Sequence, residues 1–156
     1  MKTTFINQNL ENTIIDDGIR HLNSRIEDFK NYMSFGLDND NINDKKACLF
    51  WENNGSFYEY GLCFDYVELG TFNDQNEDYF RFQLSFGGPS EEVRFYNDGT
   101  IIFVYLDWYS GVGFDVTCED WAEWLKYFFE ECGCMDFEEE RNKYDYYALL
   151  DNYTNN

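Results

Sequence analysis

Between Glu119 and Glu140 the chain places nine carboxylates, Glu119, Asp120, Glu123, Glu130, Glu131, Asp136, Glu138, Glu139 and Glu140, against a single base, Lys126. Carboxylates at this density can act as general acids and bases, hold cations, or present negative charge to a basic surface. The first two uses need particular companions at particular distances. The third needs only exposure and number.

The companions of catalysis are scarce. His21 is the one histidine, so neither a nucleophile–imidazole–carboxylate triad nor a His pair for a metal can be assembled. Cys132-Gly133-Cys134 is tighter than a zinc knuckle, lacks a second ligand pair and differs from the C-x-x-C redox pattern. Asp38-Asn39-Asp40 and Asp74-Gln75-Asn76-Glu77-Asp78 begin like calcium loops. Their sixth positions are Asn43 and Tyr79 instead of glycine, and their twelfth are Leu49 and Ser85 instead of glutamate. G-x-x-x-x-G-K, G-x-G-x-x-G and G-x-S-x-G are absent, so the expectation is a chain without cofactor, metal or catalytic residue. A small carboxylate-dependent hydrolase, with an acid pair in an aromatic cleft, is the enzymatic alternative.

Presentation of charge fits better. Glu130 and Glu131 fall at the end of a helical pattern, where the macrodipole disfavours them, and Glu119 with Glu123 is a like-charge i, i+4 pair. Local rules broken repeatedly in one sign mark a functional surface, solubility being the other reading. The whole chain of 156 residues carries 31 acids and 11 bases, a formal charge of -20. Residues 1–50 hold eight acids and six bases, so the excess lies in the later two thirds. Such a charge repels nucleic acid and anionic membranes and attracts a basic protein. A domain of this size spans about 35–40 Å, a length over which duplex DNA carries roughly 20 charges.

The elements that must position these residues follow from periodicity. Ile15, Ile19, Leu22, Ile26, Phe29 and Met33 form an amphipathic stripe, which predicts a helix from about Asn9 to Met33, ended by a polar loop from Asp38 to Lys46. Period two then predicts strands at Ala47–Trp51, Ser56–Glu68, Tyr79–Phe86, Glu92–Tyr96 and Thr100–Trp108, with hairpins closed by Asn53-Asn54-Gly55 and Asn97-Asp98-Gly99. Phe80, Phe82, Leu84 and Phe86 alternate with Arg81, Gln83 and Ser85, as in an antiparallel sheet buried on one side. Thr117 and Asp120 read as a capping box for a helix carrying Trp121, Trp124, Leu125, Phe128 and Phe129. Cys132-Gly133-Cys134 stops it, Asp136 with Glu139 caps the next, a helical segment spans Tyr144–Leu150, and a frayed tail spans Asn152–Asn156. The expectation is one α+β domain, residues 1–156: an N-terminal amphipathic helix, an antiparallel sheet of about five strands and two C-terminal helices.

The start has no apolar run of signal-peptide length and no stretch is long enough to span a membrane. Five cysteines without a framework spacing suit reduced thiols, so the expected location is the cytoplasm of a host cell.

Phe82-Gln83-Leu84-Ser85-Phe86-Gly87-Gly88-Pro89-Ser90-Glu91-Glu92-Val93-Arg94-Phe95-Tyr96 and Leu106-Asp107-Trp108-Tyr109-Ser110-Gly111 resemble a family of short acidic proteins of unassigned role carried on phages, plasmids and conjugative elements. In composition the chain is also similar to antirestriction and anti-CRISPR proteins that imitate DNA. The resemblances imply a non-catalytic inhibitor that presents a nucleic-acid-like surface to a basic nucleic-acid-binding protein or nuclease complex. The expected footprint is Glu119, Asp120, Glu123, Glu130, Glu131, Glu138, Glu139 and Glu140, with Glu91 and Glu92 as a second patch displayed by the Gly87-Gly88-Pro89-Ser90 turn. An adaptor or immunity-type protein for a basic partner, without imitation of nucleic acid, is the alternative. The sequence is also compatible with a homodimer, which would extend the charged surface.

Overall fold

A computed structural model describes residues 2–5, 12–38, 44–72, 75–108 and 110–154. Five strands form an antiparallel meander: β2 (Cys63–Val67), β3 (Tyr79–Ser85), β4 (Ser90–Tyr96), β5 (Ile101–Asp107) and β6 (Ser110–Asp115). A sixth strand, β1 (Lys2–Phe5), adds antiparallel to β6, giving the order β1-β6-β5-β4-β3-β2, and the periodicity announces neither β1 nor β6. Four helices accompany them: α1 (Asn12–Phe35), α2 (Lys45–Asn54), α3 (Asp120–Glu131) and α4 (Phe137–Thr154). The α+β class and its helix–sheet–helix order are as expected. The expected helical start at Asn9 lies outside the described residues, as do 155–156, whereas residues 152–154 of the expected frayed tail continue α4.

Alternation along the strands sends Phe80, Phe82, Val93, Phe95, Phe103, Tyr105, Val112 and Phe114 to one face, where α1 and α3 cover them. Leu22 and Phe29 of α1 are fully buried there, and Phe29 stacks on Trp121 of α3 with ring centroids 5.3 Å apart. Phe129, in the last turn of α3, stacks on Phe64 of the edge strand at 3.8 Å. Gly18 brings α1 down on β6, since a Cβ there would stand 2.6 Å from Val112 Cγ1. At the far end of α1 the sequence stripe and the structure part: Met33 is exposed and Tyr32 takes the inward place against Phe50, Phe57 and Tyr60. Positions 32 and 33 flank the helical repeat after Phe29, and the packing of α2 decides between them.

Two strand assignments give way. Ala47–Trp51 is part of helix α2, whose N-cap Asp44 accepts hydrogen bonds from the backbone of Lys46 (2.8 Å) and Ala47 (3.3 Å). Its buried residues Ala47, Phe50 and Trp51 are spaced three and four apart, a helical period hidden in a run too short to distinguish from a strand. Asn53-Asn54-Gly55 accordingly ends a helix instead of closing a hairpin, with Gly55 at φ 73 donating to the Trp51 carbonyl. In the second segment a 3-10 turn, Phe57–Glu59, buries Phe57 before β2 begins at Cys63.

The remaining turns behave as read. Gly99, at φ 91, closes the β4–β5 hairpin, and Gly133, at φ 67, ends α3. Asp136 accepts from the Glu139 amide at 2.9 Å at the start of α4. Thr117 does not cap α3: Glu119 is the N-cap, while the Thr117 hydroxyl accepts from the Ile101 amide and donates to Asp115 at 2.6 Å. The threonine thus pins the β6–α3 connection to the start of β5. No helix among the described residues is long and apolar enough to cross a membrane.

Candidate partner-binding surfaces

The apolar stripe of α3 (Trp121, Ala122, Leu125, Phe129) turns inward, so its polar positions must turn out. Glu119, Asp120, Glu123, Glu130 and Glu131 are all exposed, with Tyr127 exposed between them. Twelve helical residues make a ridge about 18 Å long. Lys126 reaches Glu130 at 3.6 Å and is the one base on the helix. At its C-terminal end the ridge meets α4: Glu130, Asp136 and Glu138 join Asp98 of the β4–β5 turn around a shallow groove of about 480 Å³. Glu138 and Glu139 are exposed, and Glu139 and Glu140 share Lys143, each at 2.8 Å. The structure therefore gathers the eight helical acids of the expected footprint on two consecutive helices.

α4 itself carries Arg141 and Lys143, and the arginines of the chain are engaged by carboxylates. Arg25 is held by Glu91, Arg81 by Asp65, Arg94 by Glu92 and Arg141 by Asp78, while Arg20 pairs with Asp17 on its own helix. Lys30, Lys45 and Lys46, which make no ion pair among the described residues, lie on α1 and at the start of α2.

Glu91 and Glu92 do not form an exposed second patch. Both are only 3% exposed, because they belong to β4 and not to the turn before it. As neighbours on a strand they point to opposite faces, Glu91 meeting cations of the distant helix α1 and Glu92 meeting Arg94 of its own strand and Arg81 of β3. Glu91 accepts from both Arg25 Nε (3.2 Å) and Nη2, from Ser85 (3.0 Å), and lies 2.8 Å from His21 Nδ1. Burial alone would raise its carboxyl, but the Arg25, His21 and Ser85 contacts outweigh that and hold it below the ordinary value of 4.5. Glu92, on the other face, takes Arg94 Nε at 2.6 Å and lies 3.8 Å from Arg81 Nη1. His21 is half-buried in this network with its ring 4.8 Å from Tyr105.

The face that carries Glu92 is less open than one-sided burial predicts, since Tyr79 and Val104 are buried on it as well. It also carries a groove of about 600 Å³ that sequence reasoning missed. Arg81, Gln83, Glu92 and Arg94 form its floor, Phe72 stands at one side, and Phe86, Gly87, Gly88 and Trp108 stand at another. Phe86, expected inside with Phe80, Phe82 and Leu84, lies beyond the last residue of β3 and is 81% exposed. Trp108 is 87% exposed at φ 51, a left-handed conformation that is uncommon for a large side chain. Both stretches that carry the family resemblance, 82–96 and 106–111, contribute to this groove.

Cys63, Cys132 and Cys134 line a separate aromatic groove with Phe57, Phe82 and Phe128. Among the described residues no group of three or more His, Cys, Asp or Glu side chains is arranged to hold a metal ion. Comparison with protein-family models, with curated proteins and with solved structures finds no match to this chain.

Proposed function

We propose that the chain is a non-catalytic inhibitor that offers the α3–α4 ridge to a basic nucleic-acid-binding protein in place of nucleic acid. One observation carries the reading: five exposed carboxylates run along the outer side of α3. One strand of a duplex carries a phosphate every 3.4 Å, so about five fall along the roughly 18 Å of such a helix. The ridge approaches a single strand in linear charge density, with Lys126 as the one base on α3, and Arg25, Arg81 and Arg94 are held in ion pairs away from it. Solubility alone asks for charge of either sign spread over the surface and does not account for arginines withdrawn into pairs.

The resemblance of residues 82–96 and 106–111 to acidic proteins of mobile elements supports a partner in host defence, of the nuclease type that antirestriction and anti-CRISPR proteins block. The deciding experiment captures partners on the immobilised protein, elutes them with rising salt, and asks whether the captured protein binds nucleic acid and this chain exclusively of one another. Mutual exclusion supports mimicry. Simultaneous binding of both sinks it and leaves an adaptor for a basic protein.

A further inference from the structure

We infer that the groove on the Glu92 face docks a guanidinium side chain, carried on an exposed loop of the basic partner and lying over the indole of Trp108. The partner as the source of that side chain rests on the reading above. The preference of the groove for a cation does not.

Four observations lead to it. Trp108 and Phe86 expose nearly all their surface, although isolated aromatics of that size usually bury part of it. Trp108 is held in a left-handed backbone conformation that is strained for a non-glycine residue. Strain of this kind persists where a side chain has to be aimed, and here it aims the indole at the groove, with Nε1 3.9 Å from the position a Cβ on Gly88 would take. The floor is already neutral: Asp65 takes Arg81 through Nε (3.0 Å) and Nη2 (2.6 Å), and Glu92 takes Arg94 at 2.6 Å. Arg94 also lies over the Tyr79 ring, 4.6 Å from its centroid.

The sign of the occupant follows. An anion would approach against a formal charge of -20 and would meet guanidinium groups already neutralised by carboxylates bonded at 2.6 Å. A cation is drawn in by the same field, breaks none of these bonds, and finds open aromatic faces whose quadrupoles attract it, tryptophan most strongly. Guanidinium is favoured over ammonium because it is planar, stacks on an indole and sheds water more readily.

The test uses the full chain and three capped tetrapeptides, Gly-Arg-Arg-Gly, its citrulline counterpart and Gly-Glu-Glu-Gly, followed through the tryptophan indole NH resonances. Trp51 and Trp121 are buried and serve as internal references. The arginine peptide should shift the Trp108 indole saturably, with a response at least fivefold above that of the uncharged citrulline peptide. Trp108→Ala and Phe86→Ala, at exposed positions that should not disturb folding, should remove the response of the Gly88 and Leu106 amides. A variant with Glu130, Glu131, Glu138, Glu139 and Glu140 changed to Lys should retain the Trp108 shift, which separates the groove from the ridge. Against a captured partner, Trp108→Ala should weaken binding about 3- to 30-fold. Equal response to citrulline, a Trp108 shift with the glutamate peptide, or shifts confined to α3 and α4 would each overturn the inference. A Trp108 shift that depends on protein concentration alone would assign the groove to a second copy of the chain and overturn it too.

Discussion

Glu91 Oε1 on β4 lies 2.8 Å from Nδ1 of His21, one turn before Arg25 on α1, so a single buried carboxylate joins the first helix to the middle of the sheet. Breaking such a pair from one side strands a buried charge. Glu91→Gln should therefore lower stability by about 3 kcal/mol, and His21→Ala by about 1 kcal/mol, in urea titrations at pH 7. The pH dependence gives an independent check. The folded state holds the Glu91 carboxyl below 4.5, so its contribution is complete above that pH and fades as pH falls through the lower folded value. The stability gap between wild type and Glu91→Gln should stay constant from pH 6 to 5 and narrow progressively as pH falls below 4.5. A gap that does not narrow on acidification would show that the carboxylate is not the group responsible.

One turn before His21 on the same helix, Gly18 sets a limit on size. Alanine there gains about 1 kcal/mol of helix propensity. It also puts a methyl group 2.6 Å from Val112 Cγ1 and 2.9 Å from Phe114 Cε2, on a strand that cannot easily yield. Overpacking of this kind costs about 1–3 kcal/mol, so the clash should win and Gly18→Ala should unfold at lower urea than wild type. A more stable variant would mean that α1 does not rest on β6 as described.

Exposed and buried aromatics should separate cleanly. Phe129→Ala removes the ring that stacks on Phe64 and should cost about 3–5 kcal/mol, whereas Phe86→Ala should fall within about 0.5 kcal/mol of wild type. Trp108→Gly should be no less stable than wild type, because glycine relieves the positive φ and offsets its own entropy in the unfolded chain. Marked destabilisation by Trp108→Gly in thermal melts would show that the indole supports the fold instead of serving a ligand.

Much of the frame is visible in the residue pattern, because α1 and α3 are long enough for a 3.6 period to be unambiguous. Ala47–Trp51 is not, and only the capping of α2 by Asp44 resolves it. The β6 strand escapes notice because Gly111 and Gly113 interrupt its alternation, although Val112 and Phe114 between them are fully buried. Glu91 and Glu92 look exposed because charged residues usually are; Arg25 is far from Glu91 in sequence and meets it only through the fold, while Arg94, two residues from Glu92, is its partner on the same strand face. The aromatic groove is illegible for the same reason, being assembled from the β2–β3, β3–β4 and β5–β6 connections. Its one local trace is a bulky Trp108 in a turn where a residue tolerant of positive φ is expected.

The ridge itself yields the prediction that separates mimicry from solubility. Reversing Glu130, Glu131, Glu138, Glu139 and Glu140 to Lys changes the charge of one surface by ten units while touching residues that are exposed or half-exposed. Folding should change little, since surface pairs such as Lys126–Glu130 contribute roughly 0–1 kcal/mol and Glu130 and Glu131 oppose the dipole of α3. Partner binding should nevertheless fall by orders of magnitude, and competition with nucleic acid should disappear with it. The wild-type complex should weaken as salt rises, because screening acts over about 10 Å at 0.1 M. Reversal of Asp16, Asp17, Asp38 and Asp44, acids near α1 and the start of α2, changes charge by nearly as much on another part of the molecule and is the control. A ridge that replaces a nucleic-acid strand requires the first set to matter far more than the second. Equal losses from both would mean that net charge alone draws the partner, and binding that survives the first set would remove α3 and α4 from the interface altogether.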